Sequence, residues 1–416
     1  MSALCGCPII ECVYCLGCAR WVWNKCLYTA GRESENWGLA SAGEFEPITR
    51  LSRFILAVYE DDLQNPIWAP PGGYGINPDW VVLRKNYEET EGRVSPYIIY
   101  LDQKNEDIVL AIRGLNLGKE SDYLLLLDDK LGQTKFDGGY VHTGLLKAAE
   151  WVLEAECEIL RELVERHPNY TLTFAGHSLG AGVVTLLTML VAKNRERFGN
   201  IDRERIRCFA YAPTRCISLN LAVRYADVIN SVVLQDTCTL EENMLQDPRR
   251  LYAPGRLYHI IVRQPFRFGK FPPVVRTAVP VDGRFEHMVL SCNILSDHSI
   301  VLIERESQRA FEIMLEKEKI MDIPPTQRME RQTSLAKEHS EEHRAALQRA
   351  VALDVPDACW PSAYGTFDET EGREGADRSH GKYSFMSSKR GRESWDGLVV
   401  RLFDTDESGH MVLKKS

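Results

Sequence analysis

Residues 176–180 read Gly-His-Ser-Leu-Gly, a serine with a glycine two positions away on either side. A serine hydroxyl attacks an acyl carbon poorly until a histidine removes its proton and an acid fixes that histidine's tautomer. The setting gives the pentapeptide its meaning. A β-prone run, Asn169-Tyr-Thr-Leu-Thr-Phe-Ala175, enters it, and an apolar run of small residues, Leu179-Gly-Ala-Gly-Val-Val184, leaves it. That is the sequence of a nucleophile elbow, a strained strand-to-helix turn that lifts Ser178 above a sheet edge. Gly176 and Gly180 fit because bulkier side chains would collide with the neighbouring strand and helix as the turn tightens.

An elbow of this kind needs its acid and its histidine further along the chain, each at or beyond the C-terminal end of a strand. Seven histidines lie downstream of Ser178. His339, His343, His380 and His410 belong to a charged tail, and His259 sits inside a strand pattern as a satisfied core or surface histidine. His287 and His298 remain. Ser296-Asp-His-Ser299 immediately precedes a helical pattern and can reach back to the elbow, which favours His298. For the acid, the strand Asn230-Ser-Val-Val-Leu-Gln235 ends in Asp236, two strands after the nucleophile. Asp227 precedes that strand, and Asp297, adjacent to the histidine, would point elsewhere. The candidate triad is Ser178, Asp236 and His298. The oxyanion needs two backbone N–H donors. Leu179 supplies one as the residue after the nucleophile, and Leu115, in the loop after the strand 107–112, supplies the other.

The elements that must hold these groups follow from periodicity. Apolar residues at helical spacing mark Phe45–Glu60, and the Pro/Gly-rich stretch from Asp61 to Trp80 is loop. Strands are predicted at Trp80–Leu83, Tyr97–Tyr100, Asp107–Ile112, Ile206–Ala212, Ile229–Gln235 and Arg256–Val262. An edge strand and turn are predicted at Ala278–Asp282, and a further short run at Met288–Ser291. Helices are predicted at Thr143–Arg166, from the elbow to about Asn194, at Leu219–Ala226 and over 299–321. Strands alternating with helices imply an α/β fold, a mostly parallel sheet covered on both faces. Beyond Pro324 the composition changes. A polar helix covers 325–350, a Gly/Ser/charge-rich stretch at 366–394 reads as disordered, and Leu398–Phe403 reads as a short strand or docking motif.

At 416 residues the chain can hold one large α/β domain, and its net charge of −9 argues against nucleic acid as a partner. The domains expected are an N-terminal segment over 1–44, a hydrolase-type domain over 45–323 and a tail over 324–416. Six of the twelve cysteines fall within the first 26 residues. This is not a secreted disulfide framework, and it indicates a reducing compartment. On a helix Cys5, Cys12, Cys15, Cys18 and Cys26 share an arc of about 140°. Three readings stand side by side: a membrane-surface segment with acylable thiols, a Cys12-x-x-Cys15-x-x-Cys18 metal knuckle lacking a full ligand set, and an apolar helix packed on the domain. Met1-Ser-Ala-Leu-Cys5 lacks the basic start of a cleavable signal peptide, and no interior apolar run reaches spanning length. The expected location is intracellular, cytoplasmic with peripheral membrane association.

These residues together resemble the class 3 lipase family, most closely its diacylglycerol lipase-like branch as found in plants. The matching pieces are Val109-Leu-Ala-Ile-Arg113-Gly114, Asp122, Gly139-Tyr-Val-His142-Thr-Gly144, Thr173–Gly180, Ile229–Asp236 and Ser296-Asp-His298, within roughly 40–322. The resemblance implies an α/β-hydrolase fold and hydrolysis of acylglycerol esters through Ser178, Asp236 and His298, with no cofactor and no metal. It implies a lid between Asn116 and Gly138, where Tyr123-Leu-Leu-Leu-Leu127 offers an apolar face to lipid. Some plant relatives are described as calmodulin-binding, but the basic stretch Arg249–Arg276 holds four prolines and makes a poor calmodulin helix. Two departures are visible. Leu115 replaces the Thr or Ser common after Arg-Gly, and Gln235-Asp236 runs directly into Thr237–Glu242 where the family carries Asp-x-x-Pro-Arg. Either Asp236 is the family acid without its downstream loop, or the acid was lost with a deletion. In the second case the chain is a weakened hydrolase or a lipid- or protein-binding scaffold on the same fold.

Overall fold

The computed structural model describes residues 17–18, 34–67, 69–128, 134–234, 250–263, 271–279, 294–320, 325–351, 403–405 and 411–413. Its centre is a nine-stranded sheet. In chain order the strands are β1 (Gly38–Leu39), β2 (Val81–Lys85), β3 (Tyr97–Asp102), β4 (Asp107–Ile112), β5 (Thr171–His177), β6 (Ile206–Tyr211), β7 (Ile229–Leu234), β8 (Arg256–Ile261) and β9 (Val274–Ala278). Across the sheet they lie in the order β1-β9-β8-β7-β6-β5-β4-β3-β2. The five central strands, β4 to β8, run parallel, and antiparallel neighbours flank them at both edges.

Strands buried on both faces read as continuous apolar runs, as in Asp107–Ile112, where every residue is buried. Alternate side chains serve two cores. Ile108, Leu110 and Ile112 of β4 join Leu172 and Phe174 of β5 under the helices α3 (Thr143–Arg166) and α4 (Leu179–Lys193). Val109 and Ala111 join Ala175, Phe209 and Tyr211 on the opposite face, under α1 (Ala42–Ala57) and α7 (Ile300–Ile320). The predicted α/β architecture with helices on both faces is therefore present. The described residues also hold three short helices, α2 (Glu120–Leu127), α5 (Leu219–Arg224) and α6 (Ile294–His298), and a long one, α8 (Pro325–Val351). The polar helix α8 packs on α5 through Ala346, and Glu342 joins Arg256 at 2.7 Å. Residues 359–416 form a separate unit, in which 403–405 pair antiparallel with 411–413.

Most predicted elements lie within two or three residues of their expected limits. The strand expected at Ala278–Asp282 is the exception: β9 occupies Val274–Ala278, between β1 and β8, and starts immediately after Pro272 and Pro273, which cannot donate to a ladder; residues 280–282 lie outside the described residues. Trp80 closes a short 3-10 turn, Pro78–Trp80, instead of opening β2. The described parts of 249–276 include β8 and the start of β9. The Met288–Ser291 run, the 366–394 stretch, Leu398–Arg401 and the N-terminal cysteines other than Cys18 lie outside the described residues; Cys18 is exposed. Among the described residues no helix is long and apolar enough to cross a membrane, and no cluster of ligating side chains could hold a metal ion.

Helix α1 has to be placed accurately, because the chain continues from it to Tyr59 beside the elbow. It starts with a capping box, Ser41 and Glu44 bonding each other's backbone N–H groups. Midway along, Arg50 reaches the sheet and pairs with Asp102 at 2.9 Å and Asp107 at 3.2 Å. Asp107 also accepts hydrogen bonds from the Thr171 and Thr173 hydroxyls, each at 2.6 Å, so one cation ties α1 to β3, β4 and β5. Both carboxylate side chains are only 4% exposed. Removing the guanidinium strands two buried negative charges, which costs on the order of 3–5 kcal/mol. Arg50→Met is expected to shift the denaturant midpoint of the full chain down accordingly. An unchanged midpoint would show that the network does not hold α1.

Candidate active site

The site forms at the C-terminal edge of the parallel strands. Strand β5 ends at His177, Ser178 turns the chain, and α4 begins at Leu179. Ser178 has φ 54° and ψ −115°, a conformation an L residue adopts only under constraint from its surroundings. The constraint is visible in the glycines. A Cβ on Gly176 would lie 2.5 Å from the Gly180 carbonyl oxygen, and one on Gly180 would lie 2.4 Å from the Arg113 carbonyl oxygen. Both distances are well inside van der Waals contact, so neither position admits a side chain.

Sheet register then decides what surrounds the serine. Ile112 of β4 is paired with Gly176, and Tyr211 of β6 with His177. The residues that follow Ile112, Arg113-Gly114-Leu115, therefore cross directly in front of the elbow. Leu179, as the first residue of α4, belongs to the helix end whose N–H groups have no partner within the helix and whose dipole favours negative charge. The two residues proposed for the oxyanion donors thus occupy neighbouring segments. The Asn116 N–H bonds Asp122 Oδ2 at 2.8 Å, and the Tyr87 hydroxyl bonds the same oxygen at 2.8 Å, which anchors this loop to the start of α2. Asp122 is completely buried, whereas Leu124 and Leu127 on the same helix and Leu117 before it are exposed.

His298 ends α6, which lies against β7, and the Ser178 hydroxyl donates to its Nε2 at 2.7 Å. Serine and histidine are brought together from 120 residues apart. Burial alone lowers the His298 pKa below its ordinary 6.5, so the ring is held as a neutral base. The alternatives considered for acid and base are engaged elsewhere. Asp297 is buried in an ion pair with Arg263, beyond the end of β8. Asp227 pairs with Arg203 at 2.5 Å. His259 is fully buried in β8, its Nδ1 2.6 Å from the Ser34 hydroxyl, as expected of a core histidine. His287 and Asp236 lie outside the described residues, although β7, which leads to Asp236, ends at the same sheet edge as β5.

Two residues without a predicted role join the site. The Nε2 of His177 lies 2.7 Å from the backbone carbonyl oxygen of His298, and its Nδ1 lies 3.2 Å from the Tyr59 hydroxyl. The Tyr59 oxygen in turn accepts the Gly114 N–H at 2.8 Å. His177 had a signal, since it stands inside the elbow pentapeptide. Tyr59 had none beyond its place in a helical pattern 118 residues away.

The family model described as Lipase (class 3) matches residues 109–238, and that of the Lipase 3 N-terminal region matches residues 9–76. Among curated proteins, the chain is 28% identical over 150 residues to mouse (Mus musculus) diacylglycerol lipase-beta, covering 33% of this chain and 20% of that protein. It is also 28% identical over 150 residues to human (Homo sapiens) diacylglycerol lipase-alpha, covering 34% of this chain and 14% of that protein. The match thus spans a fifth or less of these relatives' own lengths. Among solved structures, the lipase of Rhizopus microsporus var. chinensis aligns over 65% of this chain and 89% of its own, with 15% identity and a TM-score of 0.45.

A neutral His298 is required for it to take the Ser178 proton. Because its pKa lies below 6.5, the acid limb of any Ser178-dependent pH–rate profile is expected below pH 6.5, measured as kcat/KM on a soluble ester. A limb centred above 6.5 would show that a carboxylate on Nδ1 outweighs the effect of burial, and a rate independent of pH across this range would mean that His298 is not the base. Gly180→Ala is expected to abolish reaction at Ser178, because the methyl group displaces the Arg113 backbone and the loop behind it. A serine-directed fluorophosphonate that labelled this variant as fast as wild type would contradict that reading.

Proposed function

We propose, from the match to the class 3 lipase family over residues 109–238, that the chain is a serine hydrolase cleaving acyl esters of glycerolipids. The observation that carries the proposal is the 2.7 Å contact between Ser178 Oγ and His298 Nε2 at a strained elbow. A fold retained only as a scaffold has no need to hold a half-buried, neutral imidazole against a serine hydroxyl, and this disfavours the non-catalytic alternative.

Ser178 Oγ attacks the ester carbonyl carbon as its proton passes to His298 Nε2. Negative charge develops on the carbonyl oxygen, in front of the Leu179 and Leu115 N–H groups, where each donor is worth roughly 3–4 kcal/mol of barrier. Collapse of the tetrahedral species breaks the bond to the glycerol oxygen, which leaves with the proton from His298. Water then repeats the sequence on the acyl-enzyme, with His298 as the base, and returns Ser178. Asp236 is assigned to hold the His298 Nδ1–H and stabilise the imidazolium. Two features support it: β7 ends at the nucleophile's edge of the sheet, and α6 lies against β7.

Lipid as substrate is supported by the family and by Leu117, Leu124 and Leu127, which are 77%, 50% and 50% exposed beside the oxyanion loop. An apolar surface of that kind is suited to peripheral contact with a lipid interface, with the helix α2 as the mobile cover. Attachment at a cytoplasmic membrane surface through the N-terminal cysteines belongs to the same proposal.

The test is turnover of dispersed diacylglycerol and of a soluble short-chain ester by the full chain. Ser178→Ala is expected to lose at least about a thousandfold in kcat, and Asp236→Asn at least about a hundredfold. Equal turnover by wild type and Ser178→Ala rules out the hydrolase reading. A fully active Asp236→Asn rules out only the assignment of the acid.

A further inference from the structure

The hydrogen bonds around His177 admit one proton assignment. A backbone carbonyl only accepts, so the His177 nitrogen 2.7 Å from the His298 oxygen, Nε2, carries the hydrogen. Burial and the nearby His298 hold the His177 pKa down to about 3, so the ring is neutral and its Nδ1 is a bare acceptor. The Tyr59 hydroxyl at 3.2 Å from Nδ1 must then be the donor, which leaves its oxygen to accept the Gly114 N–H at 2.8 Å. The three bonds form one directed chain: Gly114 N–H to Tyr59, Tyr59 O–H to His177, and His177 Nε2–H to the His298 carbonyl.

Its surroundings are built for it. A Cβ on Gly114 would sit 2.6 Å from His177 Nδ1 and 3.0 Å from the Tyr59 oxygen, so only glycine lets the loop approach. The Arg113 guanidinium stands 4.3 Å from the centre of the Tyr59 ring and holds it from the other side. His177 itself is buried.

We propose that Tyr59 and His177 are positioning residues that tie the loop bearing the Leu115 oxyanion donor to the backbone of His298, so that donor and base keep one geometry relative to Ser178. The proposal rests on the hydrolase reading given above. Neither side chain touches the reacting atoms in this role. The Tyr59 bond orients the peptide one residue before the oxyanion donor, and the His177 bond fixes the residue whose imidazole must meet Ser178. Misplacement of a catalytic group by a fraction of an ångström slows chemistry more than it weakens substrate binding.

Tyr59→Phe keeps the ring and its contact with Arg113 while removing the hydroxyl. In the full chain its kcat is expected to fall about 10- to 100-fold with KM changed less than about 2-fold, counted per active site titrated with fluorophosphonate. His177→Leu is expected to match it, and the double variant to be no slower than either, because both break one chain. His177→Gln is expected to recover most of the rate, since one amide can donate to the His298 carbonyl and accept from Tyr59. A kcat equal to wild type in Tyr59→Phe, or a Gln variant no better than Leu, overturns the proposal. So does a pattern in which only the melting temperature moves. A second readout needs no turnover: in the 15N spectrum, wild-type His177 should be the Nε2–H tautomer and should not titrate between pH 5 and 9. An Nδ1–H signal overturns the chain. Wild type without Ser178-dependent turnover removes the positioning role together with the hydrolase reading, and an intact tautomer in that sample identifies the latter as the point of failure.

Discussion

The arrangement depends on a steric constraint at the turn between β5 and α4. A strand can pass directly into a helix at a single residue only if the positions around that residue lack side chains, and Gly176 and Gly180 meet this condition with no room to spare. The same crowding that forces Ser178 to φ 54° presses the first turn of α4 against the Ile112 and Arg113 carbonyls. Nucleophile and oxyanion loop are therefore not placed independently. The close approach that strains the serine also brings the Arg113-Gly114-Leu115 segment across its front.

Helix α1 connects this edge of the sheet to the opposite one. Arg50 fastens its middle to the Asp102 and Asp107 carboxylates, at the end of β3 and the start of β4, and the chain just past its C-terminus delivers Tyr59 to the elbow. Packing against Phe209, Tyr211 and α7 prevents lateral movement. A side chain that must reach within 3.2 Å of an imidazole nitrogen cannot sit on a frayed or sliding helix. The capping box at Ser41 and the buried ion pairs at Arg50 are what a rigid placement of Tyr59 requires.

The fold was legible where burial is regular. Asp107–Ile112 is buried on both faces and reads as a continuous apolar run, and Thr143–Arg166 shows a helical stripe, so both were recovered to the residue. Legibility failed where one residue type outweighs pattern: β9 starts at Val274, directly after Pro272 and Pro273. The Ser178–His298 contact was readable because the elbow's glycines are sterically obligatory and few histidines stand downstream in a suitable loop. The Tyr59–His177 chain was not readable. Its bonds join residues 55, 118 and 121 apart, the first through a backbone N–H and the last through a backbone carbonyl, and backbone partners leave no mark in a sequence.

Placing one histidine beside another creates an electrostatic problem that this geometry resolves. The His177 and His298 ring centres are 5.1 Å apart. In the proposed reaction His298 takes the Ser178 proton and becomes a cation, and a second cation at that distance would oppose it by roughly 3 kcal/mol at an effective dielectric constant near 20. That is about a hundredfold in rate. Burial removes the penalty by keeping His177 neutral down to about pH 3, and the backbone carbonyl it bonds keeps the proton on Nε2. The edge His177 turns toward His298 is thus an N–H donor bound to a carbonyl. It bonds the backbone of His298 without contributing charge, and in the proposed mechanism the imidazolium is left to be stabilised by the acid assigned to Asp236.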